Sequence, residues 1–179
     1  MQILKNYSEL NLITYKSLNR SDTPALTIAL KESAPELSKF IPWGKDIPLW
    51  NFINFQIHVN NYIKSETDSA YIFYLNGNCV GFGDIVGDVD YAQVAIWVRS
   101  SFQGRGIGSL ILSTLEKISF VDLEFKELHY IAEAENVKSM KMAMKFGYET
   151  KSISQSLISP NGYLFEFVKG CERYFSTRA

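Results

Sequence analysis

Six consecutive residues, Gln103-Gly104-Arg105-Gly106-Ile107-Gly108, constrain this chain more than any other stretch. They follow the apolar segment Ile96-Trp97-Val98. They precede a run in which Ile107, Leu110, Ile111, Leu115 and Ile118 recur at helical spacing. The pattern is a strand, a glycine turn and a helix from about Gly104 to Phe120. Glycine lets a backbone approach a ligand that any Cβ would push away. A helix start presents N–H groups without acceptors inside the helix, and its dipole favours an anion. Arg105 adds a cation. The stretch therefore suits a pyrophosphate. Taken alone, it reads equally well as a tight helix start with no ligand.

Other nucleotide loops fit less well. No G-x-x-x-x-G-K-[ST] run occurs. A dinucleotide fingerprint would place its third glycine on Ser109. Glu127 and Glu133 do lie at the distance of a ribose-binding acid, about 20 residues on. However, the strands before the loop read as an antiparallel meander, not as a parallel βαβ unit.

That meander is plain upstream. Ala70 to Leu75, Cys79 to Val86 and Tyr91 to Val98 are strand-like. Asn76-Gly77 is a strong hairpin signal, and Gly87-Asp88 makes the second turn. Before them, Leu12 to Tyr15 reads as a first strand. Asp22 or Thr23 caps a helix running to about Ser33, with Pro24 in its first turn. Pro35 to Gly44 is a short element and a turn. Pro48 starts a second helix, Leu49 to Ser65, with Phe52, Phe55, Val59 and Ile63 as its apolar stripe. After the glycine loop come a strand, Leu128 to Glu133, and a helix, Asn136 to Phe146, stopped by Gly147. Tyr148 to Ile158 and Tyr163 to Val168 close as a hairpin around Ser159-Pro160-Asn161-Gly162. The expected architecture is one α+β domain over residues 1–179. It has a mixed, mostly antiparallel sheet of about seven strands flanked by helices.

Composition narrows the function. The 179 residues suffice for one full core, and the formal net charge of -1 provides no electrostatic footprint for nucleic acid or an anionic membrane. Cys79 and Cys171 are too few for a disulfide framework or a metal cluster, and they fit a reducing cytoplasm. The opening residues, Met1 to Asn6, lack the basic segment and apolar run of a signal peptide. His58 and His129 have no second ligand at metal spacing, so no metal is expected.

Two segments together carry a family resemblance. Gln103, Gly106 and Gly108 match the Q/R-x-x-G-x-G/A acetyl-CoA motif of GCN5-related N-acetyltransferases (GNAT). Asn136, Ser139, Gly147 and Tyr148 resemble that family's N-x-x-S…G-F/Y segment, in the right order and at the right distance. Leu37 to Trp43, Phe146 to Glu149 and Asn161 to Tyr163 are similar to the ribosomal-protein acetyltransferases of the RimJ/RimL type. The resemblance implies acetyl-CoA as cosubstrate. It is expected along Ile96, Trp97, Val98, Gln103, Gly104, Arg105, Gly106, Ile107, Gly108, Ser109, Asn136 and Ser139. It implies acetyl transfer to a primary amine, with a protein N-terminus first and a small amine (polyamine, amino sugar or drug) second. An acyl-CoA-binding module without catalysis is the third reading. The expected partners are acetyl-CoA and the acceptor, with the chain a monomer or homodimer.

The chemistry needs a neutral amine, an oxyanion donor and a proton for the thiolate. The resemblance points to main-chain groups near Ile96 and Val98 for pantetheine and the oxyanion, and to Ser139 for the thiolate. Gln93 stands where many members carry a glutamate base, and glutamine cannot serve. Asp84, Glu133 and Glu135 remain, and Glu133 is the first choice because it ends the strand beside the expected cleft. Trp43 and its neighbours read as packing residues or as the wall of the acceptor cleft.

Overall fold

The computed structural model describes residues 10, 12–65, 67–156, 158–159 and 161–176. The opening Met1 to Asn6 and Pro160 of the last turn lie outside the described residues. Seven strands form one sheet: β1 (Thr14–Ser17), β2 (Asp68–Leu75), β3 (Asn78–Gly87), β4 (Tyr91–Val98), β5 (Glu127–Glu133), β6 (Glu149–Gln155) and β7 (Tyr163–Gly170). Their order is β1-β2-β3-β4-β5-β7-β6. The β4–β5 pair is parallel and every other neighbouring pair is antiparallel. The expected mixed sheet and the β2–β4 meander are both present.

The helices are α1 (Thr23–Leu37), α2 (Phe52–Lys64), α3 (Ile107–Lys117), α4 (Val137–Lys145) and α5 (Cys171–Ser176). Strand alternation sorts side chains onto two faces. Ala92, Val94, Ile96 and Val98 of β4 join Leu128, Tyr130 and Ala132 of β5 in the core beneath α3 and α4. Trp97 and Phe82 point the other way, into a second core with Leu26, Leu30, Phe55 and Val59 of α1 and α2. Gly81 and Gly83 let α3 lie directly on β3. A Cβ at Gly81 would meet Ile111 Cδ1 at 2.6 Å, and one at Gly83 would meet Leu115 Cδ1 at 2.8 Å.

Several boundaries differ from the sequence reading. Helix α1 continues past Ser33 and through Pro35 to Leu37. Proline removes one donor, but Ser33, Ala34 and Leu37 stay buried and hold the last turn. Helix α2 starts at Phe52 rather than after Pro48. Asn51 and Asn54 cap each other reciprocally, side chain to backbone, at 3.1 and 2.9 Å. Pro48 sits instead in a short 3₁₀ turn, Ile47–Leu49. The apolar stripe of α2 is also narrower than expected, because Phe52 and Ile63 are exposed. Helix α3 starts three residues after Gly104 and ends in a π turn, Ile118–Asp122. Tyr148 is core, not strand. Helix α5, whose Tyr174 is buried, was not anticipated.

Candidate active site

The site is built around a slot in the sheet. Strands β4 and β5 pair only from Tyr91/Glu127 to Val94/Tyr130. Beyond that, β4 runs on to Val98 and β5 to Glu133 without pairing to each other. The Arg99 N–H donates to Val80 O at 2.9 Å. Antiparallel bonding alternates along a strand, so Ala95 and Trp97 face β3 with their main chain. The N–H and C=O groups of Ile96 and Val98 then face the slot. The Trp97 side chain lies away from α3, stacked on Phe82 at 6.0 Å, and its main chain faces β3, so the structure turns neither toward the slot.

The glycine loop closes the upper end of the slot. Gly104 and Gly106 have φ of 75° and 84°, a region that disfavours a side chain. Gly106 caps α3, and the Leu110 N–H is the first to donate back into the helix, to Gly106 O at 3.1 Å. The N–H groups of Ile107, Gly108 and Ser109 thus lack a helical acceptor. A Cβ at Gly108 would stand 3.6 Å from Val98 Cγ2 and 3.9 Å from Ile96 Cδ1, which places the start of α3 over the end of β4. Phe102 lies between two guanidinium groups, Arg105 at 5.1 Å and Arg99 at 5.7 Å from its ring centre. Gln103 reaches back to Val98 O through Nε2 at 3.5 Å.

Helix α1 holds this loop in place, a feature the sequence reading missed. The Glu32 carboxylate accepts from Arg99 Nε at 2.7 Å and Nη2 at 2.6 Å, and from the Ser101 N–H at 3.0 Å. The Ser100 N–H donates to Ser33 Oγ at 3.1 Å. These hydrogen bonds hold the Glu32 carboxyl at about 2, well below the usual carboxylate range.

Asn136 and Ser139 come together on the other wall. Asn136 Oδ1 accepts from the Ser139 N–H at 3.2 Å and so caps α4. Ser139 Oγ lies 2.8 Å from the hydroxyl of Tyr130, which burial keeps in its neutral form. The partnership with Tyr130 was invisible in the sequence. Glu133 is buried but lies on the face of β5 opposite Tyr130. Ser139 and Glu133 are therefore not brought together. Glu135 is exposed.

The face opposite α3 and α4 carries the remaining polar groups. Gln93 pairs across with His129. His129 Nδ1 is 2.7 Å from Glu166 Oε1, and Nε2 is 3.4 Å from both Glu127 Oε2 and Lys151 Nζ. These residues and Tyr91 line an open hollow of about 420 Å³. Farther along this face, aromatic rings form a wall. Trp43 stacks on Trp50 at 5.8 Å, and His58 lies between 4.9 and 5.4 Å from Trp43, Trp50 and Tyr62. Tyr62 meets Phe82 at 5.3 Å. Burial pushes the His58 imidazole down to about 4, so it is uncharged at neutral pH. Asp84 stands at the end of this wall, buried, with Oδ1 lacking a hydrogen-bond partner among the described residues. Burial pushes its carboxyl up to about 6.

This arrangement has counterparts. A family model for the acetyltransferase (GNAT) domain matches residues 13–149. The chain belongs to the GNAT family. It is accordingly an acetyl-CoA-dependent N-acetyltransferase. Among solved GNAT structures, the RimL ribosomal L7/L12 α-N-protein acetyltransferase in complex with coenzyme A superposes with a TM-score of 0.81 at 15% identity, over 90% of this chain and 96% of that one. The spermidine N-acetyltransferase from Vibrio cholerae, in complex with CoA and spermine, gives 0.78 at 16% identity, over 92% and 99%. The microcin C7 self-immunity acetyltransferase MccE, in complex with acetyl-CoA and AMP, gives 0.77 at 16%, over 88% and 92%. At such identities the likeness is one of fold. No curated protein matches this sequence.

Proposed function

We propose that this GNAT enzyme acetylates a protein N-terminus, with acetyl-CoA lying in the slot between β4 and β5. The observation that carries the cofactor placement is the end of the β4–β5 ladder at Val94/Tyr130, directly below the α3 N-terminus. The pyrophosphate takes the N–H groups from Gly104 to Ser109, with Arg105 beside it. The pantetheine arm pairs in a strand-like way with the main chain of Ile96 and Val98, and Asn136 lies along it. The same backbone donors stabilise the tetrahedral oxyanion. Ser139, held by Tyr130, hydrogen-bonds the departing thiolate.

The acceptor reading is supported by the open face beside the slot. Ala95 and Ile131 are exposed there, and β6 is exposed along its whole length. An extended peptide fits an open face better than a closed pocket would. The acids of the hollow are also engaged. Glu166 accepts from Ser152 Oγ at 2.6 Å and faces His129, while Lys151 adds a cation. That arrangement is poorly suited to a polycation. A polyamine is the second reading, favoured by the glutamates Glu127 and Glu133 on this side of β5.

Release of CoA separates the two readings. Peptides with a free N-terminus, the same peptides N-terminally blocked but carrying a lysine, and spermidine would be compared. Turnover confined to free N-termini is expected. Turnover with spermidine alone would overturn the protein acceptor and keep the transferase.

A further inference from the structure

Gln93 leaves the reaction without the expected acid, and the structure offers a different one. Resting on the transferase reading above, we infer that Asp84 takes the proton from the acceptor amine. Three observations carry this.

The first is register. Asp84 pairs across β3–β4 with Ala95. Ala95 is the first residue of β4 above the end of the β4–β5 ladder. Cross-strand partners share a face, so Asp84 stands level with the mouth of the slot. Only the exposed methyl of Ala95 lies between them on β4.

The second is the unsatisfied oxygen. A buried carboxylate is normally hydrogen-bonded or ion-paired. The Tyr62 hydroxyl and the Ala95 N–H interact with Asp84, yet Oδ1 has no partner among the described residues. Asp68 on β2 is the charge that faces it, and it repels a carboxylate. From α2 the facing ionisable group is Tyr62, and from β4 it is the main chain of Ala95 alone. Oδ1 is therefore an acceptor that a cation supplied from outside, such as an incoming ammonium, would satisfy.

The third is elimination. His129 lies one pair below the slot mouth, with Nδ1 held by Glu166 and Nε2 between Glu127 and Lys151. Glu166 is committed to His129 and Ser152. Of Asp84, His129 and Glu166, Asp84 combines position with an open acceptor atom. Its proton affinity, raised by burial to about 6, also suits a base working near neutral pH.

The step balances simply. The acceptor ammonium gives one proton to Asp84 Oδ1. Its nitrogen lone pair attacks the thioester carbon, a C–N bond forms, and the C–S bond breaks. The second N–H proton leaves with the thiolate as thiol, with Ser139 hydrogen-bonded to the sulfur. Asp84 then returns its proton to water.

The test is Asp84→Asn with the acceptor identified from CoA release. A fall in kcat/KM of about a hundredfold or more is expected, with acetyl-CoA affinity unchanged by calorimetry. The ionisation near pH 6 in the kcat/KM profile should vanish, while that of the amine, near ~8, stays. Tyr62→Phe should move the lower ionisation to higher pH and keep activity at pH above it, because the hydroxyl favours the carboxylate. An unchanged profile in Asp84→Asn overturns the assignment. If Asp84→Asn does not fold, an unmoved ionisation in Tyr62→Phe overturns it instead. Absence of CoA release from the unaltered enzyme with every acceptor overturns the transferase reading and the assignment together.

Discussion

A buried carboxylate with an open oxygen works against the fold that contains it. The folded protein binds the Asp84 proton more tightly than the unfolded chain does. Its contribution to stability is therefore present below the ordinary value of 3.8 and is lost as pH rises through about 6. Above that pH the displaced equilibrium corresponds to a penalty of ~2–3 kcal/mol. Asp84→Asn should thus be more stable than the unaltered protein at pH 8 and lose that advantage near pH 4. Urea unfolding at the two pH values measures it. Destabilisation at pH 8 would mean that Asp84 holds the fold together, and a residue retained at a loss of stability is expected at a functional site. Nothing local in Gly83-Asp84-Ile85 marks this acid. Its surroundings include the Tyr62 hydroxyl of α2, a neighbour that no local pattern announces, whereas Glu133 is marked by its place at the end of a strand.

At the scale of elements, the glycine loop was legible because its signals are local. Alternating glycines, a preceding apolar strand and a following helical stripe all fall within about twenty residues. The structure adds which substitution reports on binding cleanly. Gly106 has a φ of 84°, and a Cβ there would lie 3.4 Å from Leu10 Cδ1. A side chain at that position would disturb the backbone as well as the ligand. Ser109 is the third residue of α3 and has ordinary helical geometry. A carboxylate in the first turn favours the helix but competes with a bound phosphate. Ser109→Glu should lower acetyl-CoA affinity at least tenfold, ~1.4 kcal/mol, with the melting temperature unchanged. Calorimetry and thermal unfolding decide it, and unaltered affinity would remove the pyrophosphate from this loop. Boundaries were read less well than elements. Pro48 and Asn51 are both helix-start signals three residues apart, and only the reciprocal cap between Asn51 and Asn54 selected the later one.

At the scale of the whole molecule, a buried ion pair ties β7 to α3, the helix that opens at the loop. Lys169 Nζ of β7 lies 2.8 Å from Glu116 Oε1 of α3, with both side chains almost wholly buried. The ammonium also sits over the rings of Tyr148 and Tyr174, at 5.6 and 5.5 Å. Removing one partner strands a charge in the core. Glu116→Ala should therefore destabilise the protein by ~3–5 kcal/mol, while a paired replacement by Leu and Met should restore most of the loss. Chemical unfolding of the single and double variants checks this. Equal destabilisation by both would show that the pair itself, not the stranded lysine, accounts for the link between β7 and α3.

The sequence by itself determined the order of elements from β1 to β7, the meander with its Asn76-Gly77 turn, and the glycine-opened helix start. These depend on periodicity and turn chemistry, which neighbouring residues settle among themselves. The resemblance to the family's N-x-x-S segment also marked Asn136 and Ser139, because that motif lies within one short stretch. Tertiary structure decided where β4 parts from β5, which hydroxyl meets Ser139, and which buried acid keeps an oxygen without a partner among the described residues. It also decided that Glu116 finds Lys169 across 53 residues, and that His129 finds Glu166 across 37. Such pairings depend on which faces the sheet buries and how its register aligns distant strands, and no local pattern encodes them.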